Sequence, residues 1–480
     1  MNKESVVERI SRISGELGIP EILGLEGKFL TKFYEDVIET NINGRKNGLF
    51  PREGYYKYSS FLIKSLLYFV VTILSVFRAK KYLRLVQKPV KNLNQKVYVA
   101  GAMKVVKAKN IHDVIPDASV YYYPISSLNS IETHIRTFNE KGHQLYVDSF
   151  KAKHIISTFK LFVGNYRRLL SFSRAVDLVY DTSYNDVIVI ILKTIYFVNH
   201  FNEFSKKLAQ DKHIWLLEFH SGMEMLALQN ALRKNRSSDV TVHMQHGTML
   251  ENHYPEYHHP VTDYDVVCGE REVRILSELN KYQSKLVGVG CPLQSLGYLS
   301  ETPSELIKYD ILVLLTVTNT TLALENQKKV LDLLRHQKNI NVLLRFRPAS
   351  QKDDSKNLSE YIKEMTVSNG TTLDEDIASS NVVVSFSADA LYSCFRQGRK
   401  IVLIVSDKYI ADEFEKCGLQ SDNFKIITID AFDSTVIDSK IAQKGTVDYL
   451  KDRYIKYNFG SIDTDIYKRE INELLNSLSC

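Results

Sequence analysis

The stretch Val240-Thr-Val-His-Met-Gln-His-Gly-Thr-Met-Leu250 decides the fold. Apolar side chains alternate up to Met244, and the polar Gln245-His246-Gly247 follows at once. That pattern is a strand running into a tight turn, with a titratable side chain at its carboxyl end. In open parallel α/β sheets, ligands bind outside the carboxyl ends of strands. His246 is therefore a candidate for acid–base or phosphate chemistry, and Gln245 and Gly247 are candidate neighbours. The same position also suits a loop histidine satisfied by backbone groups.

Upstream, His213-Ile-Trp-Leu-Leu-Glu-Phe-His220 is a strong strand, and Ser221-Gly-Met-Glu224 opens an amphipathic helix through Arg233. Freed N–H groups at such a helix start can hold an anion. Glu218 and His220 share a strand face because side chains repeat every two residues. Glu218 is thus either a cleft carboxylate or the partner of a neighbouring basic group. Downstream, residues 248–260 are polar and aromatic and include Tyr254. They read as a functional loop. Its histidines (His253, His258, His259) accompany no His-Glu-x-x-His helix and no paired carboxylates, so no metal site is assigned. Tyr264 to Gly269 is another short strand, with Glu270 just beyond as a reserve base, and Ser284 to Gly290 follows before Cys291-Pro292.

The second half alternates strand and helix. Tyr309-Asp-Ile-Leu-Val-Leu-Leu-Thr-Val-Thr318 is almost continuously apolar, as buried parallel strands require. Thr318 closes it, and Asn319-Thr-Thr can cap the helix from Leu322 to Gln337. Ile340 to Pro348 is a strand ending in Arg345 and Arg347, two residues apart and so on one face. Paired guanidinium groups at a strand's carboxyl end suit phosphate, although a surface arginine pair has the same spacing. Asn381 to Leu391 contains a strand, a Ser385-Phe-Ser387 turn and a helix start with Asp389 in its first turn. The turn offers hydroxyls and N–H groups to a diphosphate, while Asp389 also suits plain stabilisation of the helix terminus. With Lys400 to Val405 as the next strand, residues 309–405 call for a parallel, doubly wound sheet.

The first hundred residues carry less chemistry. Ile10, Ile13, Leu17 and Ile22 suggest short helices. Phe61 to Phe77 is nearly all apolar, broken by Lys64, and Arg78, Lys80, Lys81, Arg84, Lys88, Lys91 and Lys96 follow with no acidic residue among them. An apolar helix with a basic shoulder suits an anionic membrane surface, although it is at the short limit for a span and also fits a core helix with a solvated linker. Val97 to Ala102 begins an α/β domain. Its lone Gly101 turn supports no nucleotide claim. The 480 residues allow two or three domains, and a net charge of +6 is no nucleic-acid-binding signature. The five cysteines form no Cys-x-x-Cys pair. That argues against zinc ribbons and disulfide frameworks and fits a reducing cytoplasm.

Taken together, several motifs form an ordered set: a strand with Glu218, Gln245-His246-Gly247, the Tyr254 loop, Asp265 to Gly269, and Val289-Gly-Cys-Pro292. Over roughly residues 210–430 the set resembles the GT-B glycosyltransferases of bacterial surface polysaccharide synthesis. These include capsule and lipopolysaccharide sugar transferases, sialyltransferase-like enzymes and CDP-glycerol glycerophosphotransferases. The resemblance implies an α/β chain of two Rossmann-like domains with a helical N-terminal extension. Its boundaries would be 1–95 for the helical region, 96–300 for the acceptor domain, 301–445 for the nucleotide-donor domain, and 446–480 for helices packing back on the first domain. It implies metal-independent transfer of a sugar or sugar acid from a nucleotide donor to a growing cell-surface glycan or lipid-linked acceptor at the inner face of the plasma membrane, with no cofactor beyond that donor. His246, Glu218 and Glu270 would be the candidate acids and bases. Arg345, Arg347, Thr318, Ser385, Ser387 and Asp389 would hold the donor, and Gln245, Gly247 and Tyr254 would lie on the acceptor side. Where the resembled families often have Arg-x-His-Pro, this chain has Arg347 in the histidine's place. Transfer of a phosphoalditol, 2-epimerisation of a nucleotide sugar and non-catalytic glycan binding are the alternatives the same residues leave open.

Overall fold

The computed structural model describes residues 6–39, 61–83, 86, 96–100, 118–122, 135–136, 139, 145–147, 151–179, 187–208, 211–217, 222–245, 261–279, 283–290, 307–316, 321–337, 340–347, 356–387, 390–405, 411–412, 423–432, 449, 453–460 and 463–479. Two parallel sheets organise them. The first contains β1 (Val97–Ala100), β2 (Ser119–Tyr122), β3 (Leu145–Val147), β4 (Ile214–Leu217), β5 (Val240–Met244), β6 (Tyr264–Val267) and β7 (Lys285–Gly288). Their order is β3-β2-β1-β4-β5-β6-β7. The second contains β8 (Tyr309–Leu314), β9 (Val342–Arg345), β10 (Thr366–Val367), β11 (Ser380–Ser385), β12 (Lys400–Val405) and β13 (Phe424–Thr428), in the order β10-β9-β8-β11-β12-β13. Both are doubly wound Rossmann-like sheets with the same reversal of strand order. The α/β class implied by the sequence is the class observed.

The helices are α1 (Val6–Glu16), α2 (Ile19–Leu23), α3 (Gly27–Lys32), α4 (Phe61–Leu83), α5 (Ala152–Gly164), α6 (Tyr166–Val179), α7 (Val187–Ser205), α8 (Met223–Asn235), α9 (Glu270–Leu279), α10 (Thr321–Arg335), α11 (Leu373–Ala378), α12 (Leu391–Arg396), α13 (Arg453–Phe459) and α14 (Thr464–Ser479). A π-helical turn, Phe33–Glu39, continues α3. The start of α11 is fixed by a capping box, in which Thr372 and Glu375 each accept the other's backbone N–H.

Period-two alternation decides which core each strand serves. Tyr98, Ala100, Trp215 and Leu217 point to the face covered by α7 and α8. Val99, Ile214, Leu216, Val242, Met244 and Val266 point to the other face, where Tyr467, Ile471, Leu475 and Leu478 of α14 cover them. Those four positions of α14 are spaced four, four and three apart, one helical stripe. Each buried side chain of that size contributes about 1.5–3 kcal/mol. Helix α7 is long and apolar enough to cross a membrane, yet 78% of it is buried inside the fold. It is the central core helix, with Ile10, Ile22, Phe33, Phe61 and Phe172 from the N-terminal helices in the same cluster. That region therefore shares one core with the first sheet.

The chain leaves the first sheet at Gly290 and returns at Gly460, and these two residues form an antiparallel bridge. Space there admits no side chain. A Cβ on Gly460 would lie 1.9 Å from the Cys268 carbonyl oxygen and 2.7 Å from the Gly290 nitrogen. One on Gly269 would lie 2.5 Å from the Tyr457 carbonyl oxygen. Gly460 also has φ +68, the left-handed region that favours glycine. Gly460→Ala should cost at least about 2 kcal/mol in denaturant unfolding, because backbone atoms must move. Gly15→Ala in α1, where nothing lies within 4 Å, should instead stabilise by about 0.5–1 kcal/mol.

Between α5 and α7, His154 is buried, with its ring 6.1 Å from that of Tyr196 and 5.5 Å from that of His200. Its Nε2 lies 3.3 Å from Glu203. Burial pushes the imidazole down to about 4, and His200 acts in the same direction. Hydrogen bonds from Lys153 and Lys207 hold the Glu203 carboxylate at about 2. His154 is thus folded as the neutral ring, while in the unfolded chain it takes up a proton near its ordinary value of about 6.5. The stability this contributes is complete above that value and is lost as pH falls toward 4. Thermal unfolding between pH 7 and pH 4 should show a loss on the order of 2 kcal/mol that His154→Gln largely removes.

Candidate functional site

In each sheet the strand order reverses once, between β1 and β4 and between β8 and β11. Those reversals open crevices at the carboxyl ends, where doubly wound sheets bind their ligands. Cys268, the residue after β6, lies in one buried cluster with Leu391 and Tyr392, which open the helix after β11. The Tyr392 hydroxyl donates to the Phe459 carbonyl at 2.6 Å. The carboxyl ends of β6 and β11 thus approach each other beside the glycine crossing.

Of the sequence candidates, Glu218, His246, Gly247, Tyr254, Thr318 and Asp389 lie outside the described residues. Gln245 and Glu218 continue β5 and β4 in the sequence, so both follow strands at or beside the first crevice. Gln245 is buried, and its Oε1 accepts the Cys268 backbone N–H at 3.2 Å. Its own N–H donates to the Val266 carbonyl at 3.0 Å. Gln245, expected on the acceptor side, ties the end of β5 to the end of β6. Glu270 is exposed at the first position of α9, whereas Glu272 is fully buried and accepts the same Cys268 N–H at 2.9 Å.

Arg345, expected to hold the donor, is tied into the second domain. Its Nη1 is paired with the buried carboxylate of Asp376, and donates to the Ser368 hydroxyl at 3.1 Å and the Thr371 carbonyl at 3.0 Å. Thr371 and Ser368 both donate to Asp376 as well. This Nη1 ties β9 to the N-terminal end of α11. Arg347 is exposed just past β9, with the buried Phe346 between the two arginines. Ser385 is buried, and its hydroxyl donates to the Ser387 carbonyl at 2.7 Å and accepts the Ser387 N–H at 3.1 Å. It closes its own turn, so the turn offers backbone to the crevice sooner than the Ser385 hydroxyl.

Two features escaped the sequence. In register across β5 and β6, His243 Nδ1 is bonded to the Asp265 carboxylate, and both residues are buried. A carboxylate on Nδ1 fixes the ring so that Nε2 is the proton-accepting nitrogen. The available signal was parity: Thr241, His243 and Gln245 recur at every second position of one strand, and Asp265 lies on the next. The second feature is Glu224, half-buried in the first turn of α8 just after β4. Burial raises its carboxyl above the ordinary range, and Lys193 of α7 opposes that shift. A carboxyl perturbed by burial at a sheet's carboxyl edge is a candidate acid or base. Among the described residues, no three His, Cys, Asp or Glu side chains come together to hold a metal ion.

Removing Arg345 alone strands a buried carboxylate. Arg345→Ala should therefore cost about 3–5 kcal/mol in chemical denaturation. Replacing both Arg345 and Asp376 by alanine should cost less than the sum of the two single losses, as a double-mutant cycle would read out.

No family model matches the sequence, and no curated protein matches it. Among solved structures, a putative UDP-N-acetylglucosamine 2-epimerase from Listeria monocytogenes has TM-score 0.48 and 11% identity, over 80% of this chain and 96% of that one. The UDP-GlcNAc 2-epimerase from Methanocaldococcus jannaschii has TM-score 0.47 and 10% identity, over 79% and 99%. The wall teichoic acid polymerase TagF has TM-score 0.41 and 10% identity, over 87% and 97%. Likeness at these values carries no conclusion about reaction or substrate.

Proposed function

We propose that the chain is a glycosyltransferase that moves a sugar or sugar acid from a nucleotide donor to a growing surface glycan. The observation that carries this reading is the pair of doubly wound sheets with the same strand reversal, tied together by a chain that returns to the first sheet through Gly460 and α14. Two such crevices suit two substrates, one for the donor and one for the acceptor.

In this reading the donor's diphosphate lies at the carboxyl edge of the second sheet, near Arg347 and the backbone of the Ser385–Ser387 turn. The acceptor lies at the first sheet. A base there takes the proton of the acceptor hydroxyl as its oxygen attacks the anomeric carbon. The bond to the nucleoside diphosphate breaks, and the departing phosphate's charge is met by the guanidinium and backbone N–H groups. Glu224 and His246 are the candidate bases. The His243–Asp265 pair, three residues before His246, stiffens the strand end on which it follows. A raised Glu224 carboxyl would be active only once deprotonated, so turnover should climb with pH beyond the range usual for a glutamate.

A thermal-shift screen of UDP-, CDP- and GDP-sugars alongside CDP-glycerol tests the reading. One nucleotide sugar should raise the melting temperature, by about 2.7 kcal/mol of added stability at a hundredfold excess over its Kd. Arg347→Ala should weaken that shift. Glu224→Gln should keep it while lowering transfer by about 10²–10⁴-fold if Glu224 is the base. Stabilisation by CDP-glycerol alone would move the assignment to phosphoalditol transfer. Conversion of a nucleotide sugar to its 2-epimer without acceptor would overturn it.

A further inference from the structure

We infer that the outer face formed by α4 and α5 docks flat on an anionic lipid bilayer. Along α4, Phe61, Lys64, Ser65, Tyr68, Phe69 and Thr72 are buried, one stripe at spacings of three and four. Tyr68 donates its hydroxyl to the Leu192 carbonyl of α7, and Phe69 packs edge-on against Phe159 of α5 with ring centroids 5.1 Å apart. The opposite stripe is apolar and open to solvent: Leu62, Ile63, Leu66, Val70, Ile73 and Leu74 are 45–54% exposed. On α5, Ile156, Phe159 and Val163 are 56%, 42% and 58% exposed at spacings of three and four. Phe159 joins the two stripes, so they make one apolar face. A monomeric soluble protein rarely leaves such a contiguous face uncovered.

Charge selects the occupant. Between Glu53 and Asp113 the chain has twelve Lys and Arg and no acidic residue, and between Asp148 and Asp177 it has six and again none. Both helices of the face come from these two stretches. Taking those eighteen charges from a net of +6 leaves the rest of the chain at −12. The chain's net positive charge is thus supplied by the two stretches that carry the apolar face. Lys160 stands on the same exposed stripe of α5 as Ile156 and Val163, and Arg167 is exposed just beyond it. A second copy of this chain would bring the same positive charge against itself, whereas acidic headgroups complement it. The geometry also excludes a span by α4 in this fold: its inner stripe carries Lys64, Ser65 and Thr72 and packs against α7 and α5. The helix lies in the interface, with one face in protein and one in lipid.

Vesicle co-sedimentation of the full chain tests this, with phosphatidylcholine alone and with phosphatidylcholine containing about a third phosphatidylglycerol. Binding to the anionic vesicles should exceed binding to the neutral ones at least tenfold and should fall with salt. Val70→Asp with Val163→Asp, both at exposed positions, should abolish it with the melting temperature unchanged. Lys160→Glu with Arg167→Glu should weaken it only on anionic vesicles. Trp215, the lone tryptophan, is fully buried, so Leu66→Trp supplies a reporter whose emission should shift to the blue on those vesicles. No anionic binding, or binding untouched by the aspartates, overturns the proposal. So does a wild-type dimer in solution that the aspartates convert to a monomer, because a second copy then covers the face.

Discussion

The contact on which the rest depends is the place where three glycines let two backbones cross. Gly290 ends the passage out of the first sheet, Gly460 begins the return, and Gly269 gives room to the carbonyl of Tyr457. Any side chain there would hold the crossing strands apart by more than packing can absorb. Because the crossing is tight, Phe459 and Ile455 reach the core of the second sheet while Tyr467, only seven residues past Gly460, is already in the core of the first. One short segment is thereby committed to both domains. The carboxyl edges of β6 and β11 meet beside it, and the crevices inherit their separation from that geometry.

Much of the fold was legible because parallel sheets leave a plain trace. A strand buried on both faces must be apolar along its length, and each crossover needs a helix. Residues 309–405 follow that rule with little interruption, and every strand read there is found. The sequence was less informative where one side chain depends on a distant one. Arg345 and Arg347 look alike in a strand end, and only the fold reveals that Asp376, thirty-one residues on, engages the first. Ser385 likewise looks like an open hydroxyl until its turn closes on Ser387. His243 was hidden for another reason: the alternation of β5 makes it an ordinary polar position, and its partner Asp265 is on the neighbouring strand.

These cases share a cause. Carboxyl ends of parallel strands carry backbone groups that the ladder no longer satisfies, and buried ones must find partners. Gln245 and Glu272 both answer the N–H of Cys268, and Ser385 answers that of Ser387. Polar residues at strand ends therefore divide between those that repair the backbone and those that face the crevice. Sequence position alone does not separate the two groups, since both need the same residue types at the same places. Burial marks the first group: Gln245, Glu272 and Ser385 are at most 3% exposed, while Arg347 and Glu270 are solvent-exposed.

The same argument from burial distinguishes the two apolar helices. Helix α7 and residues 61–74 of helix α4 are both rich in Ile, Val, Leu and Phe. Helix α7 hides its side chains on all sides, so its apolarity is explained by the core it fills. Helix α4 hides one stripe, and that stripe, not the outer one, contains Lys64, Ser65 and Thr72. Ser65 and Thr72 return their hydroxyls to the carbonyls of Phe61 and Tyr68, at 2.8 and 2.7 Å, which lets a polar residue sit inside without an orphaned group. Core packing alone would place the most apolar side chains inward. Over residues 61–74 of α4 the outward stripe is the more purely apolar of the two, so its composition answers to something other than this fold's own core.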